Sequence, residues 1–126
     1  MSSPKFERVK QNNPRIAALL DRLGEYVRSQ VRSGQGYIVP KLAGAALGLN
    51  DGEAFVLLEI LAAGGLLQRV YNLYCRKTGA LLATVEDPKR LDEIPHCDYC
   101  DEDHDLSGLK IEVAFTANDV FFDKAA

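Results

Sequence analysis

Long apolar runs are missing from this chain of 126 residues. No stretch approaches the ~20 consecutive apolar residues that a membrane-spanning helix needs, so no membrane partner is expected. The opening residues, Met1-Ser-Ser-Pro-Lys-Phe-Glu-Arg, hold no apolar stretch of the signal-peptide kind. The expectation is a cytoplasmic protein, bacterial or archaeal. Cysteine is scarce and odd in number, with three residues. A disulfide framework would leave one over, and the cytosol is reducing. Histidine is scarcer still, with two. Phosphate-cradling glycine loops and nucleophile elbows are absent, as are internal repeats and low-complexity stretches. Enzyme activity is therefore not expected. A positive second half is also lacking. Residues 1–74 carry nine Lys/Arg against six Asp/Glu, whereas residues 75–126 carry six against twelve. A surface with that negative balance is poorly suited to phosphate.

What is present is enough for a packed core. Apolar residues make up 47% of the chain and charged residues 26%, ordinary values for one small domain or two very small ones. Residues 1–12 are polar and read as a flexible tail. Asn13-Pro14 reads as a helix cap with a first-turn proline. Behind it Ile16, Leu19, Leu20, Leu23, Val27 and Val31 recur at helical spacing, giving a helix to about Ser33. Tyr37-Ile38-Val39 is a short extended stretch, and Pro40 opens a second, small helix. Asn50 and Glu53 have the spacing of a capping box. A third helix follows to about Ala63 and stops at Gly64-Gly65.

The period then changes. Leu67 to Tyr74 is strand-like. Cys75-Arg76-Lys77-Thr78-Gly79 is a tight turn, and Ala80 to Val85 returns as a second strand. Asp87-Pro88 opens a short helix to Glu93, and Ile94-Pro95 is extended. From Leu109 to Thr116, apolar Leu109, Ile111, Val113 and Phe115 alternate with Lys110, Glu112 and Thr116, with Ala114 between, as in a half-buried strand. Val120, Phe121 and Phe122 form an apolar end that should dock.

The stretch Val39-Pro-Lys-Leu-Ala-Gly-Ala-Ala-Leu-Gly-Leu-Asn-Asp-Gly-Glu-Ala-Phe-Val-Leu-Leu-Glu-Ile-Leu-Ala-Ala-Gly-Gly-Leu-Leu resembles the helix-turn-helix core of winged-helix proteins. The resemblance spans residues 14–85. It implies an α+β fold with three helices, a wing hairpin, and DNA binding by the third helix. The residues of that helix argue otherwise. Asp51 to Ala63 contains no Lys, Arg, Asn, Gln, Ser or Thr, and base edges are read by such side chains. The helix is instead apolar nearly all round, which implies burial on every side. Val56, Ile60 and Ala63 then need a cover. Either the second half folds over them, or they bind a protein partner or a second copy.

Metal ligands must converge in space, and turns bring them together. Cys97-Asp98-Tyr99-Cys100 is a Cys-x2-Cys turn, a common way to present two thiolates to one zinc. Cys75 sits on the earlier turn. That turn looks like a zinc-ribbon knuckle with Thr78 where the second cysteine would stand. Thr is a poor zinc ligand, so a fourth must come from elsewhere. His104, four residues beyond Cys100, is favoured over His96, which directly precedes Cys97. The expected cofactor is one structural zinc on Cys75, Cys97, Cys100 and His104. Four protein ligands leave no open position for water or substrate. Thioredoxin-like redox chemistry fits less well, because Asp98, Asp101, Glu102, Asp103 and Asp105 oppose an activated thiolate. The same acidic cluster lacks the register and glycine of an EF-hand, so a solvated turn is preferred to a calcium site.

The order of elements is similar to that of general transcription factor E, which joins a winged helix to a zinc ribbon and works largely through protein contacts. Together these readings predict a tail at 1–12, a winged-helix domain at 13–74 whose wing leads into the next unit, and a small zinc-bound β unit at 75–126. The expected function is a non-enzymatic adaptor, such as the small subunit of a multi-component bacterial system for phage defence. The alternative is a DNA-binding regulator using Arg69, Arg76 and Lys77 on the wing with Arg15, Arg22, Arg28 and Arg32 on the first helix.

Overall fold

Proline and glycine set the boundaries of the helices. The computed structural model describes residues 4–34, 36–87, 96–97 and 108–117. The short helix expected to end at Glu93, the acidic turn from Asp98 to Asp105, and Val120, Phe121 and Phe122 lie outside them.

The first finding is a correction. Where a flexible tail was expected at 1–12, Pro4–Asn12 forms a helix, α1. Phe6 and Val9 stand three residues apart, on one face, and both are buried. The sequence hides this because α1 has only two apolar anchors among Lys5, Glu7, Arg8 and Lys10. Its sockets are supplied from far along the chain. A Cβ at Gly24 would lie 2.9 Å from Phe6 Cζ, and a Cβ at Gly64 would collide with Val9 Cγ2. Lys10 ties the helix down further, reaching Glu7 at 3.0 Å and Asp21 at 2.9 Å.

Asn13 also differs from its expected role. Its side chain caps no following helix. It donates instead to the carbonyl of Val9 at 2.9 Å, closing the end of α1. Pro14–Ile16 makes a 3-10 turn, and α2 follows over Ala17–Arg32. Helix α3 covers Pro40–Leu47 and exits through Gly48, whose φ is +73°. Gly44 must be glycine for a second reason, since a Cβ there would lie 2.8 Å from the carbonyl oxygen of Leu49. Helix α4, Asp51–Ala63, carries the expected capping box. Glu53 N–H donates to Asn50 Oδ1 at 2.8 Å, and Asn50 N–H donates to Glu53 Oε1 at 3.1 Å. At its other end Gly65 N–H donates to Ala62 and Leu66 N–H to Leu61, with Gly65 at φ +80°. That is a Schellman motif, which needs a residue without a Cβ at the left-handed position.

Three strands complete the α+β fold: β1 (Leu67–Cys75), β2 (Leu81–Val85) and β3 (Leu109–Ala117). They form one antiparallel sheet in the order β2-β1-β3. Tyr71 pairs with Val85, Asn72 with Thr84 and Leu73 with Ala83, and the register shifts before Tyr74 pairs with Leu81.

The described residues group into two units. One holds Met1–Arg69 with Phe115–Ala126, the other Val70–Ala114. The division thus falls at Val70, five residues before the boundary expected at Cys75. In the first unit Leu20, Leu23, Val27, Ala54, Leu57, Leu58 and Leu61 are buried, and Ile38 forms a single antiparallel bridge with Phe115. In the second, Val70, Leu73, Cys75, Cys97, Leu109 and Ala114 are buried, with Asn72 as the buried polar group. Asn72 Oδ1 accepts from Thr84 Oγ1 at 2.7 Å, so its burial carries no unsatisfied acceptor. Strand β3 shows the expected alternation only in part. Leu109, Ala114 and Phe115 are buried while Ile111 is exposed. The strand serves both units, so no single face is buried along its length.

Candidate metal centre and partner surface

Cys75 ends β1 at the hairpin turn. Its N–H donates to the carbonyl of Ala80 at 2.9 Å, and its carbonyl accepts from Gly79 N–H at 2.7 Å. Gly79 turns the chain with φ +74°. Thr78, at the position a second cysteine would hold in a knuckle, has its Oγ1 facing the N–H of Ala80 at 3.3 Å. The turn is therefore closed by two backbone hydrogen bonds, with the Thr78 hydroxyl accepting from Ala80 N–H. Cys75 is fully buried and also borders a cavity of about 520 Å³, lined among the described residues by Tyr74, Arg76, Gly79, Lys110 and Glu112. Tyr74 Oη donates to Glu112 Oε1 across its wall at 3.2 Å.

Cys97 is buried as well and sits in a single β-bridge. Among the described residues, neither it nor Cys75 is held in a disulfide. His96 is exposed. Cys100 and His104 lie outside the described residues. Among the described residues no group of three or more His, Cys, Asp or Glu is gathered as for a metal.

The side of α4 predicted to need a cover divides unevenly. The helix is not buried all round, as its composition implied. Ala54, Leu57, Leu58 and Leu61 face inward, and Phe55 meets the Phe115 ring edge-on, with centroids 6.1 Å apart. Val56 is 57% exposed, Ala63 is exposed and Ile60 is half-buried. Leu42 on α3 is 59% exposed. The reason for the difference is position: an apolar residue on the outward side of a surface helix stays outward when, among the described residues, no other element of its own unit lies across it.

The basic residues of the alternative reading are mostly engaged. Arg69 Nη1 pairs with Glu59 Oε1 at 3.0 Å. Arg76 Nε donates to the carbonyl of Leu109 at 2.8 Å, and its backbone N–H to Gly108. Lys77 is exposed on the turn. On α2, Arg22 donates to the carbonyl of Leu47, at the C-terminal end of α3. Arg28 pairs with Glu25 and lies 5.5 Å from the centre of the Phe6 ring. Both are structural uses.

Among the described residues, no helix is long and apolar enough to cross a membrane. In comparisons with protein-family models, curated proteins and solved structures, nothing matches this chain.

Proposed function

We propose that this protein is a non-enzymatic adaptor, a winged helix joined to a zinc-stapled β unit, which binds protein partners through the outward side of α4. The observation that carries this reading is the exposure of Val56, at 57%, on a helix without a single cation. A helix that reads DNA needs polar and cationic side chains on the side it presents. This one presents valine, alanine and glutamate. Three helices, α2 to α4, followed by the β1-β2 hairpin support the winged-helix part of the reading.

The zinc part rests on the chemistry of the donors. Cys75 and Cys97 are both buried in a unit whose described elements are short strands. So small a β unit gains from a metal staple. The backbone-closed turn at Cys75 fits one half of a zinc site. Cys97 and Cys100 would supply two more thiolates. His96 is exposed while its neighbour Cys97 is buried, which favours His104 as the fourth ligand. Zinc would supply no reaction here. It would hold the turns together.

Two measurements test the proposal. Elemental analysis should find one zinc per chain in the wild type and a clear deficit in His104→Ala. Affinity capture from the native host should recover a defined partner that Val56→Lys fails to retain. A monomer whose captured proteins are unchanged by Val56→Lys would sink the adaptor reading. DNA binding through Arg69, Arg76 and Lys77 is the competing proposal, favoured by the exposed tip at Arg76 and Lys77. It requires a salt-dependent gel shift that Arg76→Glu/Lys77→Glu abolishes.

A further inference from the structure

Helix α1 is short, polar and closely fitted. It has nine residues, of which Phe6 and Val9 are buried. A helix of that length is marginal in water by itself, so its order comes from its seat. The seat is cut into other elements. Gly24 lies inside α2, where a glycine costs helix stability and no left-handed backbone calls for one. The nearest atoms to a Cβ there are Cζ and Cε2 of Phe6, at 2.9 and 3.1 Å. Lys10 Nζ and the Arg28 guanidinium stand 5.0 and 5.5 Å from the centre of the Phe6 ring. Gly64 leaves the space that Val9 Cγ2 fills, and Lys5 Nζ lies 3.2 Å from the Cβ position of Gly65, at the negative end of the α4 dipole. Both notches are made by the backbone of α2 and of the α4 cap.

We propose that α1 is a detachable strap: it leaves its seat and returns to it as one unit while α2, α3 and α4 stay folded. The inference is independent of the adaptor reading and of the zinc site. Three observations carry it. Asn13 separates α1 from Pro14–Ile16 with φ −134° and ψ 61°, and Pro14 has no N–H with which to continue the helix. Motion of α1 is therefore not passed to α2 through the hydrogen bonds of one continuous helix. The bond that closes α1, from the Asn13 side chain to the Val9 carbonyl at 2.9 Å, lies within the segment and travels with it. The clasp from Lys10 to Asp21 crosses to α2, but Asp21 is 55% exposed, so water and salt can take its place. Open and closed states then differ chiefly in whether Phe6 and Val9 fill the two glycine notches. Elements with few buried apolar groups are the ones that open locally. Opening bares an aromatic ring and a valine three residues apart, together with the notches that fit them, a surface that the closed state hides.

The test uses the full chain. Amide hydrogen exchange is followed by NMR at Arg8 to Asn13 and along α2 and α4, with and without a low concentration of urea. The α1 amides should share a single opening, with protection at least about a hundredfold below that of Leu57 and Leu58 and a weaker urea dependence. Phe6→Ala should speed all of them by one common factor, at least about tenfold, and leave α2 and α4 unchanged. Protection equal to that of α4 would overturn the proposal, as would exchange graded along the helix from its start, the pattern of a fraying end. The empty seat is tested with Phe6→Ala/Val9→Ala, whose own α1 lacks its anchors. A peptide of residues 4–13, at up to about 1 mM, should shift the amides of Gly24 and Gly64 in that variant. Gly64→Ala added to it should remove the shifts. A double variant that loses protection in α2 and α4 would show α1 to be an integral part of the core, and so overturn the proposal. A folded double variant that the peptide leaves unshifted would overturn it too, because the seat then does not outlast the strap.

Discussion

Gly64 has a φ of −79°, open to any residue, so its lack of a side chain answers a packing need and not a backbone one. The space a Cβ would take belongs to Val9 Cγ2. Gly64→Ala should therefore lower unfolding free energy by about 1–3 kcal/mol, the usual cost of overpacking. Urea titration measures it. Combined with Val9→Ala the penalty should fall well below the sum of the two single changes, because they share one contact. Lys10 makes a second prediction, on pH. Its pKa is raised above the ordinary 10.5, mainly by the hydrogen bond to Asp21, against an opposing desolvation and with further help from Glu7. Below about pH 10 the ammonium is present in the folded and the unfolded chain alike, and its contribution is complete. As pH climbs past the ordinary value the unfolded chain releases the proton first, so stability falls until the folded Lys10 releases it too. Asp21→Asn should flatten that alkaline decline. Burial raises the Tyr26 hydroxyl in the same direction, so some decline should persist in the variant. Urea titrations between about pH 9 and 11.5 distinguish the two.

Local chemistry made several elements readable at the scale of helix and strand. Asn50 and Glu53 stand three residues apart, and the box between them forms as that spacing requires. Asn50→Ala should cost about 1 kcal/mol, read as a shift in urea midpoint without a change in slope. Pro40 opening α3, and Gly64-Gly65 closing α4, were legible for the same reason: each acts on its own few residues. What escaped the sequence is long-range. The anchors of α1 are Phe6 and Val9, and their sockets are Gly24 and Gly64, so no window of neighbouring residues contains the reason for the helix. Strand β3 was legible as a strand but not in its burial, because its residues are divided between two units. The outward side of α4 was half legible. Its apolar character could be counted, but which residues stay exposed depends on where Phe115 lies against Phe55.

For the whole chain, the candidate metal centre shows how far spacing carries. Three cysteines between positions 75 and 100 suggest a metal site from the sequence alone, and in the structure Cys75 and Cys97 are both buried. It does not bear on Cys100 or His104, so the ligand set remains a proposal. If zinc staples this unit, a chelator should act unevenly. Hydrogen exchange should rise over residues 70–85 and 108–114 on metal removal, while α2 and α4 keep most of their protection. Cys97→Ser should reproduce that pattern without chelator. Uniform loss of protection across the chain would show instead that the two units unfold as one.

The docking of α1 also has a consequence in time. Translation delivers Phe6 and Val9 first, but the Gly64 socket emerges only after 55 more residues. At ~5–20 residues per second, that leaves α1 without its full seat for roughly 3–11 s. During that interval the Val9 side chain lacks the contact at Gly64 that helps to bury it. Gly64, the cap that follows α4, is in this sense a timer: Val9 cannot take its seat until the fourth helix has been made.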